Sequence, residues 1–230
     1  MAQLDKKFFG KLKGSLGDIV FRSRNDKNYI AHKPVSYTPP DTPEFRERIS
    51  KFRLAVKLAS AIYSFESLKK LWKSVVPSGA SPFSHLVKIN YPFVLDNDLS
   101  NMIIMTPRSS FGVKLQSLTL NNDALDIELA PLTDLSNVNP DIEKKIQILV
   151  VVFLQQPLNS TLPDYDFLKV SSVKTSINLN DPITFNIPLL TADSEILVNY
   201  TNRKVIFTAI TFDENEDEIQ FSSTINYTVV

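Results

Sequence analysis

Leu115-Gln116-Ser117-Leu118-Thr119-Leu120-Asn121-Asn122-Asp123-Ala124-Leu125-Asp126-Ile127-Glu128-Leu129 carries leucines up to an Asn-Asn-Asp turn and then alternates strictly between apolar and polar residues. A period of two beside a tight polar turn marks an antiparallel hairpin with one buried face. The same texture of short β-branched or aromatic runs, broken by Asn, Asp and Pro, continues from residue 82 to the end. It predicts eight or nine strands, at residues 85–91, 102–106, 113–120, 125–129, 147–154, 168–178, 183–187, 196–207 and 219–229. The run 146–154 is apolar apart from Gln147 and rich in β-branched residues, so it reads as a buried strand. No long helical pattern separates these runs, and the expectation is an antiparallel immunoglobulin-like β-sandwich, without the cysteine pair of antibody domains.

N-terminal to this body the pattern changes. Gly10, Gly14 and Gly17 crowd into eight positions, although the whole chain has only five glycines. Their spacing matches neither phosphate-cradling glycine motif. Residues 18–24 and 28–33 flank Asn25-Asp26-Lys27 and read as a hairpin with a polar turn. Two strands alone are marginal in water, so this hairpin needs a host surface. Pro34, Pro39 and Pro40 form a stiff connector. Thr42-Pro43-Glu44 then places a cap, an N1 proline and an early acid as a helix start prefers. Phe45, Ile49, Phe52, Val56, Ala59 and Tyr63 follow at steps of four and three, one apolar stripe on a basic helix. That stripe faces either its own domain or a seam with another subunit. A second helix is expected over 66–75, with Trp72 as a packing anchor, ended by Pro77-Ser78-Gly79. The expected class is α+β, mainly β: a basic arm and hairpin (1–41), a helical segment (42–80) and the sandwich (81–230).

The 230 residues have a formal net charge of zero. That sum hides its distribution. Residues 1–80 hold 16 Lys and Arg against 7 Asp and Glu, and residues 81–230 hold 9 against 18, so the two parts carry +9 and −9. Such an asymmetry favours contact between a basic element and an acidic body, within one chain or between copies. The candidate interface residues are Lys6, Lys7, Phe8, Phe9, Lys11, Lys13, Arg22, Arg24, Arg46 and Arg48 on the basic side. Asp213, Glu214, Glu216, Asp217 and Glu218 form the acidic side.

Catalytic chemistry does not assemble. With no cysteine there is no thiol nucleophile, zinc finger or iron–sulfur cluster. Only His32 and His85 offer imidazole, and no serine stands in a nucleophile-elbow motif. Asp164 with Asp166, or Asp126 with Glu128, are acids alternating along strands, which is ordinary for a solvent face. The acidic run 213–218 lacks the glycine and distant glutamate of a calcium loop and reads as a hairpin tip. No enzyme activity, cofactor or metal is expected. The N-terminus lacks a secretory apolar run and no stretch is long enough to span a bilayer, so the expectation is a soluble chain made in the cytoplasm.

Gly14-Ser15-Leu16-Gly17-Asp18-Ile19-Val20-Phe21, the basic hairpin after it, and Phe45-Arg46-Glu47-Arg48 to Phe52-Arg53-Leu54-Ala55 together resemble an uncharacterised bacterial protein family typical of the Bacteroidota. The resemblance covers mainly residues 10–60 and implies the two-part architecture, without implying an activity. The second hairpin strand lacks the Trp-Lys-Gly segment of many members. In form, an arm, a helix and a β-rich body are also similar to subunits of phage virions, tail-like particles and fibres. The reading is a non-enzymatic structural subunit of a filament or virion-like particle, partnered by its own copies or by other particle subunits. The alternatives are a monomeric module binding glycan or protein through the loop region 154–167, with Tyr165 and Phe167 exposed, and a nucleic-acid-associated protein using the basic arm.

Overall fold

The computed structural model describes residues 2–4, 13–24, 27–33, 39–77, 79–132, 137–174 and 177–229, and the side chains of 2–4, 24, 173 and 174 lie outside that description. The chain divides into two units, Met1–Arg46 and Glu47–Val230. Its class is α+β and mainly β, with four helices and three antiparallel sheets among the described residues.

The first unit holds a four-stranded sheet of β1 (Ala2–Leu4), β2 (Gly14–Leu16), β3 (Ile19–Arg24) and β4 (Lys27–His32), in the order β1-β4-β3-β2. The expected hairpin is β3 with β4, in which Phe21 stands opposite Ile30 and Arg22 opposite Tyr29. Gly17 turns the chain from β2 into β3 at φ +57°, a conformation that glycine adopts without a Cβ clash. Among the described side chains of these strands only Asn28 is buried, while Leu16 is 72% exposed. Among the described side chains none from these strands belongs to an apolar core.

Helix α1 (Pro43–Tyr63) starts where the cap pattern placed it: the Phe45 amide donates to Thr42 Oγ1 at 3.3 Å. Helix α2 (Glu66–Val75) matches its expected span, and its Trp72 is fully buried with Nε1 donating to the Met105 carbonyl at 2.8 Å. Helix α3 (Pro82–Asn90) corrects the strand expected at 85–91. Ser81 accepts from the Ser84 amide as its cap and Pro82 opens its first turn, which outweighs the short β-like run Leu86-Val87. A 3₁₀ turn, Tyr91–Phe93, follows.

The apolar stripe expected on α1 is also corrected. The buried side chains are Leu54, Ala55, Leu58, Ala59, Ala61 and Ile62, whereas Phe52 is 50% exposed. At 100° per residue the buried arc lies roughly 120° around the helix from the Phe45-Phe52-Val56-Tyr63 stripe. Alternating leucine and alanine lets the helix backbone approach a sheet closely, which a row of aromatics would prevent.

The body strands are β5 (Leu115–Leu120), β6 (Ala124–Leu129), β7 (Lys145–Pro157), β8 (Tyr165–Lys174), β9 (Ile183–Pro188), β10 (Tyr200–Phe212), β11 (Glu218–Phe221) and β12 (Ile225–Val229). Leu118 pairs with Ile127 in the hairpin of β5 and β6, and β9 completes a three-stranded sheet. The other sheet runs β8-β7-β10, with β11 and β12 both paired to β10. Residues 196 and 197, expected as the start of a strand, instead close helix α4 (Thr191–Leu197).

Strands β7 and β10 explain the long apolar run. Ile146, Ile148, Val150, Val152 and Leu154 share a core with Leu125, Ile127, Phe185 and Ile187 of the three-stranded sheet. The alternate residues Leu149, Val151 and Phe153, with Ile206 and Ile210, share a second core with Leu54, Leu58, Ile62 and Trp72. The central sheet is thus covered on both faces, and its strands lose the alternation of a half-exposed sheet.

Candidate functional site

Of the expected basic interface, Lys6, Lys7, Phe8, Phe9 and Lys11 lie outside the described residues, as does the side chain of Arg24. Lys13 and Arg22 are exposed. Arg46 is engaged locally: Nε and Nη2 each donate to an Asp41 carboxylate oxygen at 2.6 Å. That bidentate pair holds the Asp41 carboxyl below its ordinary pKa. Arg48 is exposed on the first half of α1. Residues 47–80 hold 7 Lys and Arg against 2 Asp and Glu, so the segment bearing α1 and α2 is a basic layer on a body whose remainder is acidic.

The acidic run 213–218 is the tip between β10 and β11, as its composition implied. The Asp217 amide donates to Asp213 Oδ1 at 2.8 Å, and Glu216 sits at φ +68°. Two of the five carboxylates are paired within the chain, Glu216 with Lys145 at 2.6 Å and Glu218 with Lys70 at 3.8 Å. The Lys145 ammonium lowers the Glu216 pKa by hydrogen bonding and then by its charge. Asp213 spends its oxygens on the turn itself, so Glu214 and Asp217 are the tip's outward charges.

Tyr165 and Phe167 are not exposed loop aromatics, which corrects the basis of the ligand-loop alternative. Both belong to β8; Tyr165 is buried, and both rings pack on Phe153 with centroids 6.2 and 5.1 Å away. The Lys57 ammonium covers the Tyr165 ring at 4.7 Å, and burial raises the Tyr165 phenol pKa. The carboxylates of Asp126 and Glu128 stand on the outer face of the three-stranded sheet, where Asn186 Nδ2 donates to Asp126 at 2.5 Å and Ser117 Oγ to Glu128 at 3.0 Å. Among the described residues no group of three or more His, Asp or Glu side chains is placed to hold a metal ion. No helix there is long and apolar enough to cross a membrane.

One feature was legible in the sequence as a pattern but not as a site. The displaced stripe of α1 forms, with α3, an open apolar groove of about 470 Å³ lined by Phe52, Val56, Phe83, Val87, Lys88 and Tyr91. Tyr63 packs edge-on against Phe83 at 5.8 Å at one end, and the Lys51 ammonium lies 5.2 Å from the Tyr91 ring centre at the other, so the helices run antiparallel. The α1 half of this groove is the seam-lining stripe of the sequence; the α3 half was hidden by the strand assignment.

No protein-family model matches the chain, and no curated protein matches it. Among solved structures, the β-glucosidase from Kluyveromyces marxianus in complex with glucose is 17% identical over 53% of this chain and 14% of that chain, with a TM-score of 0.20. The chain therefore spans about a seventh of that enzyme's length. A structure described as "CC2D1B coordinates ESRCT-III activity during the mitotic reformation of the nuclear envelope" is 14% identical over 83% of this chain and 77% of that chain, with a TM-score of 0.18. Likenesses at these TM-scores carry no weight for fold or activity.

Proposed function

We propose that the protein is a non-enzymatic structural subunit of a self-assembling filament or virion-like particle, in which the basic N-terminal arm docks on the acidic β body of a neighbouring copy. On this reading the body is an immunoglobulin-like sandwich with an added helical layer, and the chain keeps its likeness to the Bacteroidota-type family. The observation that carries the proposal is the small sheet of the first unit: its described side chains bury only Asn28 and leave Leu16 exposed, so no apolar core forms among them. Residues 1–46 hold 9 Lys and Arg against 5 Asp and Glu, and residues 81–230 hold 9 against 18, which supplies the attraction. A contact between two different surfaces repeats into a ring or an open filament.

The test is light scattering with negative-stain imaging of the full chain at low and high salt. Rings or filaments that weaken as salt rises are expected, because exposed charges are screened over about 10 Å at 0.1 M. Deletion of residues 1–34 is expected to leave a soluble monomer with its body folded. A truncated chain that assembles with unchanged concentration dependence overturns arm docking, and a full chain that stays monomeric throughout overturns assembly.

A further inference from the structure

The groove between α1 and α3 has two different ends. At one, Tyr63 meets Phe83 edge-on at 5.8 Å and closes it with aromatic rings. At the other, the Lys51 ammonium lies 5.2 Å from the Tyr91 ring centre, and Lys88 stands one turn before Tyr91. The walls between them are Phe52, Val56 and Val87, and among the described residues no carboxylate lines the groove.

Neither the walls nor the cations are used up inside the chain. Phe52 is 50% exposed, so its wall faces solvent rather than the core. Among the described residues neither Lys51 nor Lys88 takes part in an ion pair. The walls therefore suit an apolar body, and the lysine end suits an anion. A ligand cation is disfavoured there, because Lys51 already covers the Tyr91 ring it would seek.

Length and closure narrow the ligand further. From Phe83 to Tyr91 the chain rises about 12 Å, which an extended alkyl chain spans with about nine or ten carbons at roughly 1.3 Å each. The volume of about 470 Å³ falls within the range of small-molecule sites, about 300–1,000 Å³. A closed aromatic end suits a ligand that terminates in the groove, where a docked helix or strand would have to run on past it.

We infer that the groove is a binding site for a medium-chain carboxylate, with the tail along Phe52, Val56 and Val87 toward Phe83 and the head between Lys88 and Lys51. Apolar burial of the tail supplies the affinity, and the two ammonium groups choose the head. The inference does not rest on the assembly reading.

The test is calorimetric titration of decanoate into the full chain, at neutral pH and a protein concentration where light scattering shows monomers. One saturable site per chain is expected, with affinity falling about fourfold for each methylene removed in nonanoate and octanoate. Decylammonium, with the same tail and the opposite charge, should bind at least tenfold more weakly. Lys88 is exposed, and Lys88→Glu should weaken decanoate about tenfold while strengthening decylammonium, a reversal that a merely structural effect would not give. Phe52→Glu should abolish decanoate binding, with circular dichroism showing that each variant keeps its fold. Equal affinity for the two amphiphiles, or unchanged decanoate binding by Phe52→Glu, overturns the site. So does a chain that ignores free decanoate but adsorbs to phosphatidylglycerol vesicles, or one in which Phe52→Glu alters only the concentration needed for assembly; those results make the groove a membrane or subunit contact.

Discussion

Asn90 holds Ile104 by both of its backbone groups: the Ile104 amide donates to Asn90 Oδ1 at 2.8 Å, and Asn90 Nδ2 donates to the Ile104 carbonyl at 2.9 Å. One buried amide side chain thus does for Ile104 what a neighbouring strand would do. The residues around it are satisfied in the same manner. Met105 donates to Thr224 Oγ1 at 2.8 Å and accepts from Trp72, and Ile103 accepts from Asn226 Nδ2 at 3.1 Å. Segment 102–106, expected as a strand, is irregular for this reason: side chains of α2, α3 and residues 224–226 meet its backbone needs, leaving no ladder to form. Asn90→Ala strips two backbone groups of their partners inside the helical core. A loss of about 2–6 kcal/mol in unfolding free energy is expected, since each of the two unsatisfied buried groups costs about 1–3. Urea denaturation followed by Trp72 fluorescence measures it; a loss below about 1 kcal/mol would mean that water reaches Ile104.

The helical layer is a structural half of the body, and this has a consequence for truncation. A chain beginning at residue 81 loses Leu54, Leu58, Ile62 and Trp72 from the core that covers Leu149, Val151, Phe153, Ile206 and Ile210. Each of those five side chains stabilises by about 1.5–3 kcal/mol when fully buried, so exposing them removes an amount comparable with the about 5–15 kcal/mol of a typical domain. Residues 81–230 alone are expected to aggregate or to bind a hydrophobic dye strongly, whereas residues 40–230 stay soluble. A folded, dye-negative 81–230 fragment would show that the β layers are self-sufficient.

What could be read from the sequence was whatever local chemistry decides. The α1 start at Thr42-Pro43, the span of α2, the hairpins β3–β4 and β5–β6 and the buried Trp72 all follow from caps, turns and periodicity over a few residues. Errors arose where long-range partners override local pattern. Leu86-Val87 reads as a strand until the Ser81 cap is weighed, and segment 102–106 reads as one until its partners on α2, α3 and β12 are known. On α1 two apolar arcs exist, and only the sheet beneath it selects Leu54-Leu58-Ile62 over Phe52-Val56. The groove was half visible for that reason, and its α3 half was hidden by the strand reading of 85–91.

Asp41 and Arg46 fix the entry to α1, and the pair sets a pH dependence. Hydrogen bonding to the guanidinium lowers the folded Asp41 pKa below its ordinary 3.8. A carboxyl with a depressed folded pKa stabilises the folded form above its unfolded value, and that contribution is lost as pH falls through the folded one. The protection of the Phe45 and Arg46 amides, relative to the unstructured exchange rate at each pH, is therefore expected to hold down to about pH 4 and to fall below it. Asp41→Asn should exchange faster at neutral pH and lose this acid dependence. Because both groups are solvent-exposed the effect is local, and the global unfolding midpoint should move little.

Asn97 joins the start of α1 to the central sheet. Its Oδ1 accepts from Ser50 Oγ at 3.0 Å, and its carbonyl accepts from the Gln155 side chain on β7. Next to it, Asp98 pairs with Lys204 of β10 at 2.7 Å. Asn97 sits at φ +53° in the tight turn closed by the Leu95 amide on the Asp98 carbonyl at 2.7 Å. Two effects, backbone conformation and side-chain hydrogen bond, therefore meet at one residue, and substitutions separate them. Asn97→Gly keeps the left-handed conformation and loses only the exposed bond to Ser50, for an expected cost of about 0.5 kcal/mol. Asn97→Ala keeps a Cβ in that conformation without the short polar side chain that lets Asn adopt it, and should cost about 1 kcal/mol more. Ser50→Ala removes the bond alone and should match Asn97→Gly. Urea midpoints of the three variants test this order; equal losses for Ala and Gly would show that the turn relaxes out of the left-handed region when Asn97 is replaced.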